Sequence, residues 1–184
     1  MDELTSRQHL ALAERLAATD RWGPAEEHYR AALAGDDSEV AAAAALRLGR
    51  RAEHVNNWQA ARTLYERALA YGASDVRCRA GFFLGALHLV EGDNTAARKV
   101  LTVASESPEE MIRPWALLRL GDACYRLDDF RGAYRAYTAA SGSGNQQASF
   151  WADSQLVTVI GHLQHLDAAQ AAADAAAAEG GSGA

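Results

Sequence analysis

Residues 45–68 read ALRLGRRAEHVNNWQAARTLYERA, and this stretch decides the fold. Small and apolar residues recur in it at spacings of three, four and seven on both sides of the polar pair Asn56-Asn57. Such spacings place side chains on one face of an α-helix, and Asn is typical of helix ends. The stretch therefore predicts two amphipathic helices joined by a short turn. The residues expected to be buried are Ala45, Leu48, Gly49 and Ala52 in the first helix and Ala61, Leu64, Tyr65 and Ala68 in the second.

The same pattern recurs every 36 residues without an insertion. Two columns are alanine in all five copies, a leucine stands thirteen residues before the first alanine, and a bulky column follows four residues after it. A fixed period of this length is typical of helical solenoids, in which each unit packs on its neighbours. The two alanine columns and the bulky column are Ala25, Ala61, Ala97, Ala133 and Ala169; Ala32, Ala68, Ala104, Ala140 and Ala176; and Tyr29, Tyr65, Leu101, Tyr137 and Ala173.

The period predicts one all-α solenoid of tandem helix-turn-helix units with about ten helices over residues 1–179. Residues 180–184 are expected to form a flexible tail. Pro24 and Pro114 fall in predicted first helical turns and Pro108 in a loop between units, where proline is tolerated. The expected units are residues 6–41, 42–77, 78–113, 114–149 and 150–179, and further turns are expected at Thr19-Asp20, Gly92-Asp93 and Asp128-Asp129.

The residues of the second unit resemble a known family. Leu48-Gly49, Trp58, Ala61, Tyr65 and Ala68 stand at the mutual spacings of tetratricopeptide repeats, and the match extends over residues 6 to about 178. This unit is longer than the family's usual length of about 34 residues, and the proline that normally ends the second helix is missing. The resemblance implies a right-handed superhelix whose first helices line a concave groove, and a role in protein binding.

The fifth unit departs most from the pattern. Asp153 stands at an otherwise apolar position, and the expected second helix, Ala168 to Glu179, is almost entirely alanine. One interpretation is a poor terminal cap that frays, since a terminal repeat needs a polar outer face. The other is an alanine-rich dimerisation surface, or a seam for a missing helix.

The groove-facing side of the first helices carries a distinctive set of residues. Five fourteen-residue stretches that begin at Ser6, Ala42, Cys78, Pro114 and Phe150 carry +3 together, whereas the whole chain carries -6, so the remainder carries -9. We therefore expect a mildly basic, aromatic groove within an acidic exterior. The candidate binding residues are Arg47, Arg50, His54, Arg79, Phe82, Trp115, Arg119, Asp122, Arg126 and Trp151.

Two interpretations of this groove stay open. Arginine binds carboxylates through a planar fork and aromatic rings bury apolar anchors, so the groove suits an acidic peptide with one or two hydrophobic residues. Alternatively, the aromatic residues pack between neighbouring helices and the arginines form local ion pairs, such as Arg119 with Asp122 or Arg50 with Glu53. The lysine and asparagine clamp known in the resembled family is not expected, because the single lysine, Lys99, lies on a second helix.

Composition limits the other function classes. A net charge of -6 argues against nucleic-acid or anionic-membrane partners, and no stretch of eighteen apolar residues occurs. The N-terminal residues lack a signal-peptide core, so a cytoplasmic location is expected. Cys78 and Cys124 have no motif spacing and are expected to be reduced and buried.

No catalytic or cofactor motif is present in the sequence. Phosphate-binding glycine motifs and zinc-protease motifs are absent, and His162, His165 and Asp167 form a weak metal-ligand pattern at a helix end. The sequence therefore predicts a non-enzymatic adaptor or scaffold for a protein or peptide, without a metal or cofactor. The alternative is a homo-oligomer that assembles through its terminal helices. A third hypothesis is the regulatory arm of a separate enzyme or transcription regulator.

Overall fold

The computed structural model describes the backbone of residues 4–181 and the side chains of residues 4–171. All regular elements in this part of the chain are α-helices, which confirms the predicted fold class. The helices are α1 (Ser6–Ala18), α2 (Trp22–Ala34), α3 (Ser38–His54), α4 (Trp58–Tyr71), α5 (Ser74–Glu91), α6 (Asn94–Ser105), α7 (Arg113–Tyr125), α8 (Phe130–Ser141) and α9 (Gln146–Gly181).

The helices pack in chain order, each against the next. Successive odd-numbered helices also contact each other, from α1 with α3 to α7 with α9. Among the described residues, no even-numbered helix contacts another even-numbered helix. The odd-numbered helices are therefore closer together, and the array curves with these first helices on its inner side.

The turn inside each of the first four units has one recurring backbone conformation. Asp20, Asn56, Gly92 and Asp128 stand 36 residues apart, and all four have φ between 57° and 82°. This left-handed conformation is the one that Gly, Asn and Asp adopt at least cost. In units two to four the next residue caps the second helix: the side chains of Asn57, Asp93 and Asp129 accept hydrogen bonds from the backbone N–H groups of Ala60, Ala96 and Gly132.

The alanine columns form the core of the helix pairs, as predicted for the first four units. Ala25, Ala61, Ala97 and Ala133 are fully buried, and so are the four alanines seven residues later. The tyrosine column packs into the space that glycine leaves on the first helix. A β-carbon added at Gly121 would lie 2.4 Å from the Tyr137 ring, and one at Gly49 would lie 2.7 Å from the Tyr65 ring. These small residues let the paired helices approach closely.

The fifth unit corrects the predicted helix pair, because α9 continues without a break through residues 146–181. The two turn positions of the other units are occupied here by Gln164 and His165. Neither residue favours the left-handed conformation or caps a helix well, so the helix propagates. Ala169 consequently lies exposed, whereas its counterparts in the other units are buried. Of the expected tail, residues 180 and 181 belong to α9, and residues 182–184 lie outside the described residues.

No helix within residues 4–181 has the length and apolarity needed to span a membrane. Both cysteines are free and buried, as expected. Burial raises the pKa of the Cys78 and Cys124 thiols above the ordinary value, so neither is activated as a thiolate.

Candidate functional site

Four residues of α3, α5 and α7 form a continuous arginine–aromatic row on the inner side of the array. The Arg50 guanidinium carbon lies 4.6 Å from the centre of the Phe83 ring, and the Arg119 guanidinium carbon lies 5.3 Å from the centre of the Phe82 ring. The two phenylalanine rings meet edge to face with their centres 5.2 Å apart. The row thus has a cation at each end and two rings between them, which is a favourable cation–π arrangement.

A buried tyrosine supports this row from below. Tyr65 of α4 stacks on Phe83, with ring centres 5.5 Å apart and an interplanar angle of 21°. Its hydroxyl donates a hydrogen bond to Glu53 Oε2 at 2.6 Å. Burial, and then the Glu53 carboxylate, raise the pKa of Tyr65 above its ordinary value, so the hydroxyl stays a donor. Glu53 is therefore engaged by Tyr65 rather than by Arg50.

Asp122 of α7 is half-buried beside Arg119, at the other end of the row. Its Oδ1 accepts a hydrogen bond from the Tyr137 hydroxyl at 2.7 Å. Burial raises the pKa of this carboxyl, while the Tyr137 hydrogen bond and the charges of Arg126 and Arg119 act in the opposite direction. Burial and Asp122 likewise raise the pKa of Tyr137. Asp122 therefore anchors α7 to α8 and contributes polarity to the groove wall.

The local ion pairs considered above do not occur at the row. Among the described residues, neither Arg50 nor Arg119 has a carboxylate oxygen within 4.0 Å, so Arg50 is not paired with Glu53 and Arg119 is not paired with Asp122. Of the aromatic residues in that interpretation, Phe82 and Phe83 contact each other and the arginines of the neighbouring first helices, whereas 54% of Trp151 is exposed. The row therefore combines packed rings with two guanidinium groups that lack a carboxylate partner.

Three other predicted arginines have polar partners elsewhere in the chain. Arg47 Nη2 lies 3.0 Å from Glu14 Oε1. Arg79 Nε donates to both carboxylate oxygens of Glu109, at 2.8 Å and 3.1 Å, and this contact raises the pKa of the Arg79 guanidinium. Arg126 Nη1 donates to the Leu89 carbonyl oxygen at 2.9 Å. Arg47 and Arg126 therefore join successive units, and Arg79 ties α5 to the loop before α7. All three are less free to take an external ligand.

A cleft of about 480 Å³ opens at one end of the row, between the first and second units. Within it, the Arg51 guanidinium carbon lies 5.3 Å from the centre of the Trp22 ring, and Arg51 Nε lies 3.2 Å from Glu26 Oε1. The imidazole of His54 is exposed at the rim. We name this space the first cleft, and its lining residues are Asp20, Trp22, Arg47, Arg50, Arg51 and His54.

A second cleft of about 270 Å³ opens at the other end of the row, between α7 and α9. Trp115 is half-buried against the core beneath α7 and α8, whereas 54% of Trp151 is exposed. The second cleft therefore offers an indole face beside the Arg119 guanidinium. Its lining residues are Trp115, Leu118, Arg119, Asp122, Trp151 and Gln155.

The structure brings most of the ten predicted residues to one surface. Arg50, Phe82 and Arg119 belong to the row, and Arg47, His54, Trp115, Asp122 and Trp151 line the adjoining clefts. Arg79 and Arg126 line neither of these two clefts. The residues missing from the predicted set are Phe83, Asp20, Trp22, Arg51, Leu118, Gln155 and the two carboxylate partners, Glu14 and Glu109.

The signal for some of these was present in the repeat register. Glu14 and Arg50 occupy the same column one unit apart, and Arg47 stands three residues before Arg50 on the neighbouring helix. Because neighbouring first helices contact each other, this register places Glu14 near Arg47. Repeat register could not place Glu109 near Arg79, because Glu109 lies in the loop between α6 and α7.

No set of three His, Cys, Asp or Glu side chains within the described residues is grouped closely enough to hold a metal ion. His162, one of the weak metal-ligand candidates, stacks on Phe130 with ring centres 4.5 Å apart and lies 3.1 Å from the Tyr125 hydroxyl. It therefore fixes α9 to α7 and α8.

The fold and this surface define a class of molecule: a curved array of helical units with an aromatic, cationic row on its inner side. No protein-family model matches the sequence, and no curated protein is similar enough to count as a relative. The argument for function consequently rests on the geometry of the row and its two clefts.

Proposed function

We propose that this chain is a non-enzymatic adaptor of the tetratricopeptide-repeat type that binds a protein segment along its inner surface. The 36-residue register, the recurring left-handed turn and the small-against-large packing of each helix pair support the family assignment. A right-handed superhelix and a cytoplasmic location belong to the same proposal. It assigns no catalytic residue and no cofactor. The groove carboxylates Glu53 and Asp122 accept hydrogen bonds from tyrosine hydroxyls and are assigned a structural role.

The ligand that fits best is an acidic peptide with aromatic or aliphatic anchors. The observation that carries this proposal is the pair of guanidinium groups, Arg50 and Arg119, held over phenylalanine rings without a carboxylate partner. A cation–π contact orients the guanidinium plane but leaves N–H donors available to an incoming carboxylate. A carboxylate supplied by a ligand would complete these interactions with charge-assisted hydrogen bonds.

The two clefts suggest how such a peptide would lie. Its acidic side chains would contact Arg50 and Arg119, and an apolar side chain between them would cover the Phe82 and Phe83 rings. A second apolar side chain would enter the second cleft against the exposed Trp151 indole. Aromatic and arginine side chains of this kind commonly contribute most of the affinity at protein interfaces.

A display library of random peptides tests the proposal. We expect the native chain to select sequences that combine Asp or Glu with Phe, Trp or Leu. Synthetic versions should bind the double variant Arg50→Gln/Arg119→Gln at least about tenfold more weakly for each lost charged hydrogen bond. Raised salt should weaken native binding as well.

A matched control separates the groove from general charge. Arg15 and Arg113 are exposed arginines outside the row, so Arg15→Gln/Arg113→Gln makes the same change in net charge. This control should retain native affinity. Equal loss of affinity in both double variants, or selection of peptides without acidic residues, would contradict the groove assignment.

A further inference from the structure

One face of α9 is apolar and uncovered. The exposed fractions of Phe150, Val157 and Ile160 are 67%, 74% and 40%. Their counterparts one unit earlier, 36 residues upstream, are Pro114, Gly121 and Cys124, and all three are buried. In that unit the second helix, α8, covers this face; a β-carbon at Gly121, for example, would meet the Tyr137 ring.

Nothing in the described chain takes the place of that second helix for α9. Helix α9 packs only on α7 and α8 within the described residues. The side chains of residues 164–171 are all exposed, and Asp167 in this stretch lies beside α8, with its Oδ1 3.9 Å from Arg131 Nη2. Asp153, the polar residue on this face, accepts a hydrogen bond from Ser141 Oγ at 2.5 Å. Beside it, the Phe150 ring meets the Trp151 ring edge to face with centres 5.7 Å apart, and much of Phe150 and Val157 stays open to solvent.

The residues of α9 directly after Gln164 supply a complementary surface on the same side of the helix. Steps of three and four residues continue the stripe of Phe150, Val157 and Ile160 through Gln164. After Gln164 the same stripe continues with Ala168 and Ala171, both exposed. This face of the helix therefore carries bulky apolar residues before Gln164 and small residues directly after it.

An antiparallel pair of α9 helices would match these halves. If Gln164 meets its own counterpart at a twofold axis, the sequence register places Ile160 opposite Ala168 and Val157 opposite Ala171. Bulky residues then oppose small ones on both sides of the axis, as in the glycine–tyrosine packing inside the units. Such an isologous interface closes on itself, which is the commonest symmetry of oligomers.

We propose that a second copy of this chain docks on this face, with the two α9 helices antiparallel and the twofold axis at Gln164. Residues 168–171 of the second copy then cover Val157 and Ile160, as a second helix covers the first in the other units. A helix of 36 residues is about 54 Å long, so each half can span a complete neighbouring helix. This inference does not depend on the peptide-binding proposal.

Sedimentation equilibrium of the full chain tests the dimer. The native chain should have twice the monomer mass, and Val157→Glu/Ile160→Glu should have the monomer mass, because it places charges against the partner's alanines. Thr158 is exposed on another side of the same helix, and Thr158→Glu should remain dimeric. Circular dichroism should show equal helix content in all three, since none of the changed residues is buried.

The twofold axis has its own test. Gln164→Cys should form an intermolecular disulfide under mild oxidation, because the two side chains meet at the axis, whereas Thr158→Cys should not. The native cysteines are buried and serve as an internal background. A native chain that is monomeric at all concentrations would overturn the proposal. A dimer that survives both glutamates, or that cross-links no better at Gln164 than at Thr158, would overturn it too.

Discussion

The tyrosine column offers a test in which one substitution is made at three equivalent positions. Tyr29, Tyr65 and Tyr137 are all nearly or fully buried at the same place in their units. The hydroxyls of Tyr65 and Tyr137 donate to Glu53 and Asp122, whereas the Tyr29 hydroxyl has no hydrogen bond among the described residues. Replacement by phenylalanine therefore removes a carboxylate hydrogen bond at two positions and an unpaired hydroxyl at the third.

The expected magnitudes follow from this difference. A hydrogen bond to a charged group contributes about 1.5 to 3 kcal/mol, so Tyr65→Phe and Tyr137→Phe should each lower the free energy of unfolding by about that amount. Tyr29→Phe should change it by less than about 0.5 kcal/mol. Urea denaturation followed by circular dichroism measures all three.

Acidification adds a second readout for Tyr137→Phe. Burial raises the pKa of Asp122 in the folded state above its value in the unfolded state, so the folded state binds this proton more tightly. The unfavourable contribution of the buried charge to stability therefore disappears as pH falls through the folded-state pKa. The Tyr137 hydrogen bond favours the ionised carboxyl, so removing it raises the folded pKa further. The stability difference between native and Tyr137→Phe proteins should therefore be largest near neutral pH and shrink on acidification. Equal effects of all three tyrosine substitutions, or a pH-independent difference at Tyr137, would refute the reasoning.

Two further predictions concern turns. Asn56 has φ 60°, so Asn56→Ala should lower the free energy of unfolding by about 1 to 2 kcal/mol while Asn56→Gly leaves it nearly unchanged, and urea denaturation distinguishes the two. Gln164→Gly/His165→Asp should restore the turn that α9 lacks and fold its distal half back on Val157. Spin labels at Gln155 and Ala175 should then move from about 30 Å to about 10 Å apart, and the dimer should be lost; an unchanged distance would show that the residues at the turn do not decide the length of α9.

The sequence was sufficient for the helix pairs because their determinants are local. One unit already shows the determinants: the alanine columns, a glycine opposite a tyrosine, and an Asn or Asp at the turn. Tandem repetition then confirms the register four times. The continuous α9 could also have been predicted from the sequence. Gln164 occupies the position that requires a left-handed residue, and His165 occupies the position of the helix cap. Abundant alanine obscured that signal, because alanine fits either side of a helix pair.

The binding surface was predictable as a face but not as a set of contacts. Register places Arg50, Phe82 and Arg119 on the inner side of the array. Whether an arginine finds a carboxylate depends on side-chain rotamers and on loops, and Glu109 reaches Arg79 from a loop with no repeat register. The sequence could therefore not separate the arginines with carboxylate partners from the two held over aromatic rings.

The chain-order packing has a consequence for how the molecule opens. Every contact between helices joins elements at most two apart in the described chain, so contact order is low and folding should be fast. Stability in such an array is approximately a sum over neighbours, so the outermost units should exchange their amide hydrogens first. The row from Arg50 to Arg119 belongs to the second, third and fourth units. A peptide bound there would slow amide hydrogen exchange in the central units and leave the exchange rates of the two end units unchanged.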